Sequence, residues 1–289
     1  MKVNIEDINK LKELKISIKS EAYVQGVPNF IIKHPNNYIF FLDEIHRILL
    51  IENHKPNFEE IKFEKINKSY IMNLLLLHRE WFPVNYQRDY FEKFFDDKKK
   101  YSTIGAFITI NNKKYLIGSI LYEICKQTNF RNNIPNILYE QSIIVYLCTN
   151  KKCAYINTIG VIDEYRKLKV ASKLIELMIE DLKNKNIIAI YLHVILHNIS
   201  AIKFYEKIKW EYSGIIENHY DINERHFDAK VFYYIINENY LKKNYTKIKN
   251  SKDTSSRNCI QILYKKIINY FNKNNNKYNL INQSDLKKI

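Results

Sequence analysis

Glycine and proline are both scarce in this chain, at five residues each in 289. So few glycines exclude a glycine-rich phosphate loop and a glycine-dense all-β protein. The four cysteines, Cys125, Cys148, Cys153 and Cys259, form no CxxC pair and follow no signal peptide. A disulfide-stapled scaffold and a structural zinc site are therefore not expected, and a reducing intracellular compartment is. The longest apolar runs, such as Ile187 to Leu192, fall far short of the roughly 20 residues that span a bilayer. The chain is not expected to be transmembrane. Acidic residues are also in short supply, 31 against 46 basic ones, for a formal net charge of +15.

What the chain does have is apolar and aromatic side chains, 46% and 14% of residues, enough to bury a substantial core in one or two domains. The charge is uneven. From Leu241 onward twelve Lys or Arg face only Asp253 and Asp285, a net +10 that leaves +5 for the first 240 residues. Any electrostatic partner is expected to be met by this tail.

Between Tyr101 and Ile236, strand-like and helix-like patterns alternate, which predicts an α/β (α+β) domain. Residues Thr103 to Ile110 and Tyr115 to Glu123 read as a hairpin joined by Asn111 to Lys114, and Lys126 to Lys152 as a long polar excursion. A strand is predicted over Ala154 to Ile162. Ala171, Leu174, Ile175, Met178 and Leu182 mark an amphipathic helix within 170–185. Ile187 to Leu196 is the next strand, Ser200 to Ile208 a helix capped by Asn198 or Ser200, and Val231 to Ile236 a last strand that closes the sheet. Upstream, Asn67 or Ser69 caps a helix through Leu74 to Leu77 that stops near Pro83. The division is an extension over 1–56 of no assigned role, a domain over 57–237, and a basic Asn/Lys-rich tail over 238–289. Within the tail, Ile260, Leu263, Tyr264, Ile267, Ile268 and Phe271 form an apolar stripe over 259–271 flanked by lysines, an amphipathic helix suited to an anionic membrane or to packing on the domain.

One segment carries chemistry. Tyr155-Ile-Asn-Thr-Ile-Gly-Val161, then Tyr165-Arg-Lys-Leu-Lys-Val-Ala171 and a helix, sets a short loop before a helix N-terminus, whose free N–H groups suit a pyrophosphate. Tyr191-Leu-His-Val194 and Asn198-Ile-Ser-Ala-Ile-Lys-Phe-Tyr205 follow. In this order the pieces resemble the GNAT acetyltransferase superfamily, with its R/Q-x-x-G-x-G/A loop and N-x-x-A-x-x-F-Y signature. Trp81-Phe-Pro-Val-Asn-Tyr86 and His219-Tyr220 bring the resemblance to the N-terminal protein acetyltransferases, NatF first and NatE next. It covers about Glu59 to Ile236 and implies the GNAT fold, a mixed central sheet flanked by helices, with acetyl-CoA as co-substrate and no metal.

The resemblance implies roles residue by residue. Tyr155 and His193 would take the proton of an α-amine through an ordered water, and Tyr205 would protonate the departing thiolate. Asn157, Thr158, Ile159 and Val161 would pair by backbone with the pantetheine arm, Asn198 would hold that arm, and Arg166, Lys167, Leu168, Lys169, Val170 and Ala171 would cradle the phosphates. Phe82, Pro83, Val84 and Tyr86, with Tyr155, His219 and Tyr220, would line the acceptor site, suited to a Met-initiated N-terminus followed by an apolar residue or Lys. The plain alternatives are a core histidine, a packing tyrosine, a helix cap and a core Trp81-Phe82. Two positions depart from the family: Asn85 replaces an acidic residue, and Lys169 replaces the loop glycine. If position 169 needs φ > 0, a lysine there is strained by about 1 kcal/mol, although its charge would suit the phosphates.

The leading expectation is acetyl-CoA-dependent acetylation of protein N-termini, in the cytoplasm and peripheral on a cytosol-facing membrane. An acetyltransferase of lysine side chains, histone-like, or of polyamines keeps the fold but starts from an amine of pKa near 10.4. A non-catalytic scaffold binding RNA, ribosome or membrane through the basic tail is the reading from another class. DNA is not an expected partner.

Overall fold

The computed structural model describes Ile51 and residues 54–84, 86–125, 153–222 and 224–237. The excursion expected over Lys126 to Lys152, Asn85, most of the N-terminal extension and the whole amphipathic tail lie outside these residues. Among the described residues no helix is long and apolar enough to cross a membrane.

Seven strands form one mixed sheet. They are β1 (Lys62–Glu64), β2 (Tyr101–Ile110), β3 (Lys113–Cys125), β4 (Cys153–Val161), β5 (Ala189–Ile195), β6 (Glu211–Ile222) and β7 (Arg225–Ile235), in the order β1-β2-β3-β4-β5-β7-β6. The helices are α1 (Ile71–Trp81), α2 (Arg88–Asp96), α3 (Val170–Lys183) and α4 (Ile199–Lys207). Of these, β1, α2 and β6 carry no counterpart in the sequence reading. The last strand does not close the sheet, as read from Val231 to Ile236. Instead β7 pairs with both β5 and β6, and β6 is the edge. The 211–222 stretch hides its strand because its inward positions are broken by bulges and by Glu217, Asn218 and His219.

The chain divides into two compact units. The first takes in 54–93, 105–119 and 160–171 among the described residues. Asn67 Oδ1 accepts from Ser69 N at 3.0 Å, capping the 3₁₀ turn that leads into α1. Leu74 and Leu77 of α1, Phe91 of α2, Phe107 and Ile117 are all buried in this unit. The β2–β3 turn is tighter than the sequence implied. Asn111 and Asn112 both lie in the left-handed region, φ 49° and 60°, as a two-residue hairpin turn requires, and Lys113 and Lys114 already belong to β3.

The second unit takes in 94–104, 120–125, 153–159 and the described residues from Ser172 onward. The stripe predicted for α3 is its buried face, with Leu174, Ile175, Met178 and Leu182 at most 4% exposed. Asp181 of α3 accepts from Tyr122 OH of β3 at 2.6 Å and from Lys185 Nζ at 2.7 Å, tying helix to sheet by a charge-assisted link. β4 and β5 pair in parallel only over Cys153↔Ala189, Ala154↔Ile190 and Tyr155↔Tyr191. Beyond Tyr155 the two strands part.

Candidate active site

Where β4 and β5 part, three aromatic side chains meet on one face of the sheet. The register sets Tyr155 beside Tyr191, and the two-residue period of a strand brings His193 to the same face. Tyr155 OH and His193 Nδ1 are hydrogen-bonded at 3.2 Å, so the pair expected from the sequence is in direct contact. The ring centroids of Tyr155 and Tyr191 are 5.0 Å apart, and Tyr191 OH lies 3.5 Å from Cys125 Sγ. Burial pushes that thiol up to about 12, so Cys125 is a packing thiol rather than a nucleophile.

His193 Nε2 is buried and has no hydrogen-bond partner among the described residues. Burial, then the nearby His219, push the His193 pKa down to about 3. The ring is neutral at any physiological pH. In the tautomer whose Nδ1–H donates to the Tyr155 oxygen, Nε2 presents a lone pair.

His219 reaches this site through a bulge. Pairing between β6 and β7 shifts between Ile216↔Ala229 and Tyr220↔Phe227, so β6 spends two extra residues there. Asn218 takes φ 51°, and its N–H donates to Asp228 Oδ1 at 2.9 Å. The bulge sets His219 against His193, the rings tilted by 59° with centroids 4.2 Å apart, and Tyr220 OH donates to the His193 carbonyl at 3.1 Å. Bulges beside active sites commonly re-aim a side chain in this way. Tyr155, His193, His219 and Tyr220 are thus brought together as expected. Asn218 and Asp228, which build the bulge, were not legible, because neither residue type marks a bulge without its cross-strand partner.

Tyr205 lies in an aromatic stack, 3% exposed, with ring centroids 5.4 Å from Trp210 and 5.5 Å from Phe232, and close enough to Tyr220 for the two phenols to interact electrostatically. Burial raises its pKa strongly, which keeps the phenol protonated. Asn198 is the N-cap of α4, its Oδ1 accepting from Ala201 N at 3.0 Å. The Asn198 side chain is exposed, as is Lys209.

In the first unit, the loop before α3 takes the shape a glycine would normally supply. Lys167 and Lys169 both have φ 65°, so the conditional strain at Lys169 is real and Lys167 shares it. Arg166 Nε donates to the Val161 carbonyl at 3.1 Å and its Nη1 pairs with Asp163 at 2.7 Å. Arg166, Lys167 and Lys169 are exposed, Leu168 and Ala171 half-buried, and Val170 buried. Left-handed residues beside a helix N-terminus are the kind of turn whose backbone N–H groups suit an anion. On β4, Thr158 and Val161 are buried and Ile159 half-buried. Asn157 Oδ1 is buried without a partner.

Also in that unit, Phe82, Val84 and Tyr86 are half-buried and Pro83 exposed. His78, fully buried, is the hub of their cluster, with centroids 5.3 Å from Phe82, 5.5 Å from Tyr86 and 4.8 Å from Phe91. Its Nδ1–H donates to the Leu74 carbonyl at 2.7 Å. The sequence reading did not single out His78, which looks like any polar residue on an apolar helix. Among the described residues no three His, Cys, Asp or Glu side chains gather as metal ligands would.

Residues 71–210 match the acetyltransferase (GNAT) family. The chain carries a GNAT acetyltransferase domain. The same fold recurs in the crystal structure of Arabidopsis thaliana NAA60 in complex with acetyl-CoA, which is 26% identical, has a TM-score of 0.51, and aligns over 61% of this chain and 98% of that one. Among curated proteins, histone acetyltransferase MCC1 of Arabidopsis thaliana is 27% identical over 180 residues, 61% of this chain and 70% of its own length. N-alpha-acetyltransferase 60 of Danio rerio is 27% identical over 166 residues, 56% of this chain and 64% of its own. This chain therefore spans about two thirds of the curated relatives it matches.

Within the GNAT domain, the parting of β4 from β5 fits an acetyl-CoA arm. The edge of β4 that faced β5 has no β5 partner beyond Tyr155, and an extended ligand can pair there as an added strand would. In the first unit, the left-handed turn at Lys167 and Lys169 would offer backbone N–H groups to phosphates. The donor set fits the co-substrate.

Proposed function

We propose that this protein transfers the acetyl group of acetyl-CoA to the free α-amine of protein N-termini, Met-initiated ones with an apolar or lysine second residue above all. One observation carries the reading: the Tyr155–His193 pair, with Nε2 of the histidine buried and unpartnered, at the point where β4 and β5 part. When bound, acetyl-CoA supplies a thioester carbonyl as the acetyl donor.

This chain's residues then have a modest task. A free α-amine has a pKa of about 7.7–8.0, so a useful fraction is neutral at pH 7. As that amine attacks, its nitrogen becomes strongly acidic, and a neutral acceptor nearby is enough to take the proton. His193 Nε2 provides the lone pair, and the hydrogen bond to Tyr155 holds its ring in place. The buried, protonated phenol of Tyr205 is the proton source assigned to the leaving thiolate. Phe82, Val84 and Tyr86, held by His78, and separately His219 and Tyr220 are the aromatic surfaces assigned to the acceptor peptide.

The likeness to NAA60 bound to acetyl-CoA supports the cofactor, and the likeness to N-alpha-acetyltransferase 60 supports an α-amine acceptor. Lysine acetylation is the second reading, favoured by the likeness to a protein named a histone acetyltransferase. Peptides with free N-termini and peptides blocked there but carrying free lysines decide between them. Faster acetylation of the blocked set would overturn the N-terminal assignment. We further infer a cytoplasmic protein held on an anionic, cytosol-facing membrane by its +10 tail. Failure of the full chain to co-sediment with anionic vesicles at low salt would remove that part.

A further inference from the structure

Asn157 lies two residues beyond Tyr155 on β4, and the alternation of half-buried Tyr155, Asn157 and Ile159 with buried Ile156 and Thr158 puts it on the face that carries the Tyr155–His193 pair. Its Oδ1 is buried with no hydrogen-bond partner among the described residues. β4 and β5 last pair at Tyr155↔Tyr191, so Asn157 lies just past the point where the two strands part. A buried amide oxygen left without a donor is costly, and an apolar side chain in its place would pack without that cost.

We propose that Asn157 is a further substrate-binding residue, whose Oδ1 accepts a hydrogen bond from the acceptor's α-amino group. This rests on the reading of the site as one that acetylates an α-amine. Oδ1 can only accept, and an amine carries N–H donors in either protonation state. An amine brought to His193 Nε2 on β5 is delivered to the face of the sheet on which Asn157 of β4 lies, beside the strand that carries Tyr155. The neutral amide matters as well. A carboxylate there would stabilise the ammonium and oppose loss of its proton, whereas an amide oxygen orients the amine and leaves its pKa near the ordinary value.

The test uses the full chain loaded with CoA, which binds peptide without turnover. Dissociation constants are measured by calorimetry for a Met-initiated peptide and for its des-amino analogue. Wild-type protein should prefer the amine-bearing peptide. Asn157→Leu, nearly isosteric, should reduce that preference by about tenfold, with the des-amino peptide and acetyl-CoA each bound within about twofold of wild type. Asn157→Asp, should the leucine variant not fold, gives an independent reading: its kcat/KM profile should move to higher pH. An unchanged preference in Asn157→Leu would overturn the proposal. So would an intact preference with acetyl-CoA bound about tenfold more weakly, which would assign Oδ1 to the cofactor arm. Should wild-type protein acetylate lysines but no α-amine, the functional reading fails first and takes this inference with it.

Discussion

Gly160 lies against the indole of Trp81, and replacing it tests how β4 is held. A Cβ built on Gly160 would come within 2.7 Å of Trp81 Cζ3, and closer still to Cε3 and Cδ2. Carbon atoms pack best at about 3.5–4.0 Å, so the ring would have to retreat by more than about 1 Å. Gly160 has no positive φ, so the backbone itself would accept alanine and only space is at issue. Retreat is hindered because Trp81 ends α1 and packs on His78 and Phe82, at 5.5 Å and 6.4 Å between centroids. Overpacking of this kind costs about 1–3 kcal/mol, and with three ring atoms in conflict we expect about 3 kcal/mol for Gly160→Ala. Trp81→Leu removes the obstacle and loses buried area, at about 2–3 kcal/mol. Combined, the two should cost about 3 kcal/mol rather than the 5–6 of simple addition, a coupling of about 2–3 kcal/mol. Urea titration gives these values from the midpoints, with the slopes checked for constancy. Acetyl-CoA affinity should fall in Gly160→Ala and partly return in the double variant, because the displaced strand is the one assigned to the cofactor arm. A cost under about 0.5 kcal/mol, or additivity within about that margin, would refute the reasoning.

His193→Ala and Tyr155→Phe should each lower kcat by roughly 10² while acetyl-CoA binding stays within a few-fold; near-normal turnover in both would dismiss the pair. Lys167→Gly and Lys169→Gly relieve φ 65° at each position and should each raise stability by about 1 kcal/mol, seen as a Tm increase of about 2–4 °C, without loss of acetyl-CoA affinity. A large loss of affinity would make the lysine side chain itself a phosphate ligand. With His193 held down to about 3, kcat/KM should rise with pH through the amine's own pKa near 8 and show no inflection near 6.5; such an inflection would place a titrating histidine in the reaction. Stability has the complementary dependence. His78 and His193 stay neutral in the fold, both pushed down to about 3 by burial, but charge near pH 6.5 once unfolded, so the unfolded state binds more protons between those values. Stability should fall as pH drops from about 6.5 toward 3, by up to about 1.4 kcal/mol per pH unit for each group, and His78→Phe should flatten the slope in thermal melts across pH 4–7.

Local periodicity was enough to find β2 to β5, α1, α3 and α4, because each buries one face against a core and a buried face must repeat at the period of its element. The apolar stripe of α3 and the cap at Asn67 could be read directly for that reason. Tyr155 and His193 were singled out through the resemblance of their motifs, and the fold brings the two side chains into contact. What the sequence left open depended on partners distant in the chain. The edge position of β6 and the bulge that turns His219 onto His193 exist only once β7 lies beside β6, since a bulge is a mismatch between two strands and belongs to neither. The left-handed turn at Lys167 and Lys169 is held by the fold against the preference of lysine for negative φ. The unpartnered oxygen of Asn157 is likewise a tertiary fact: an asparagine in a strand is ordinary until packing from distant parts of the chain encloses its Oδ1 with no donor in reach.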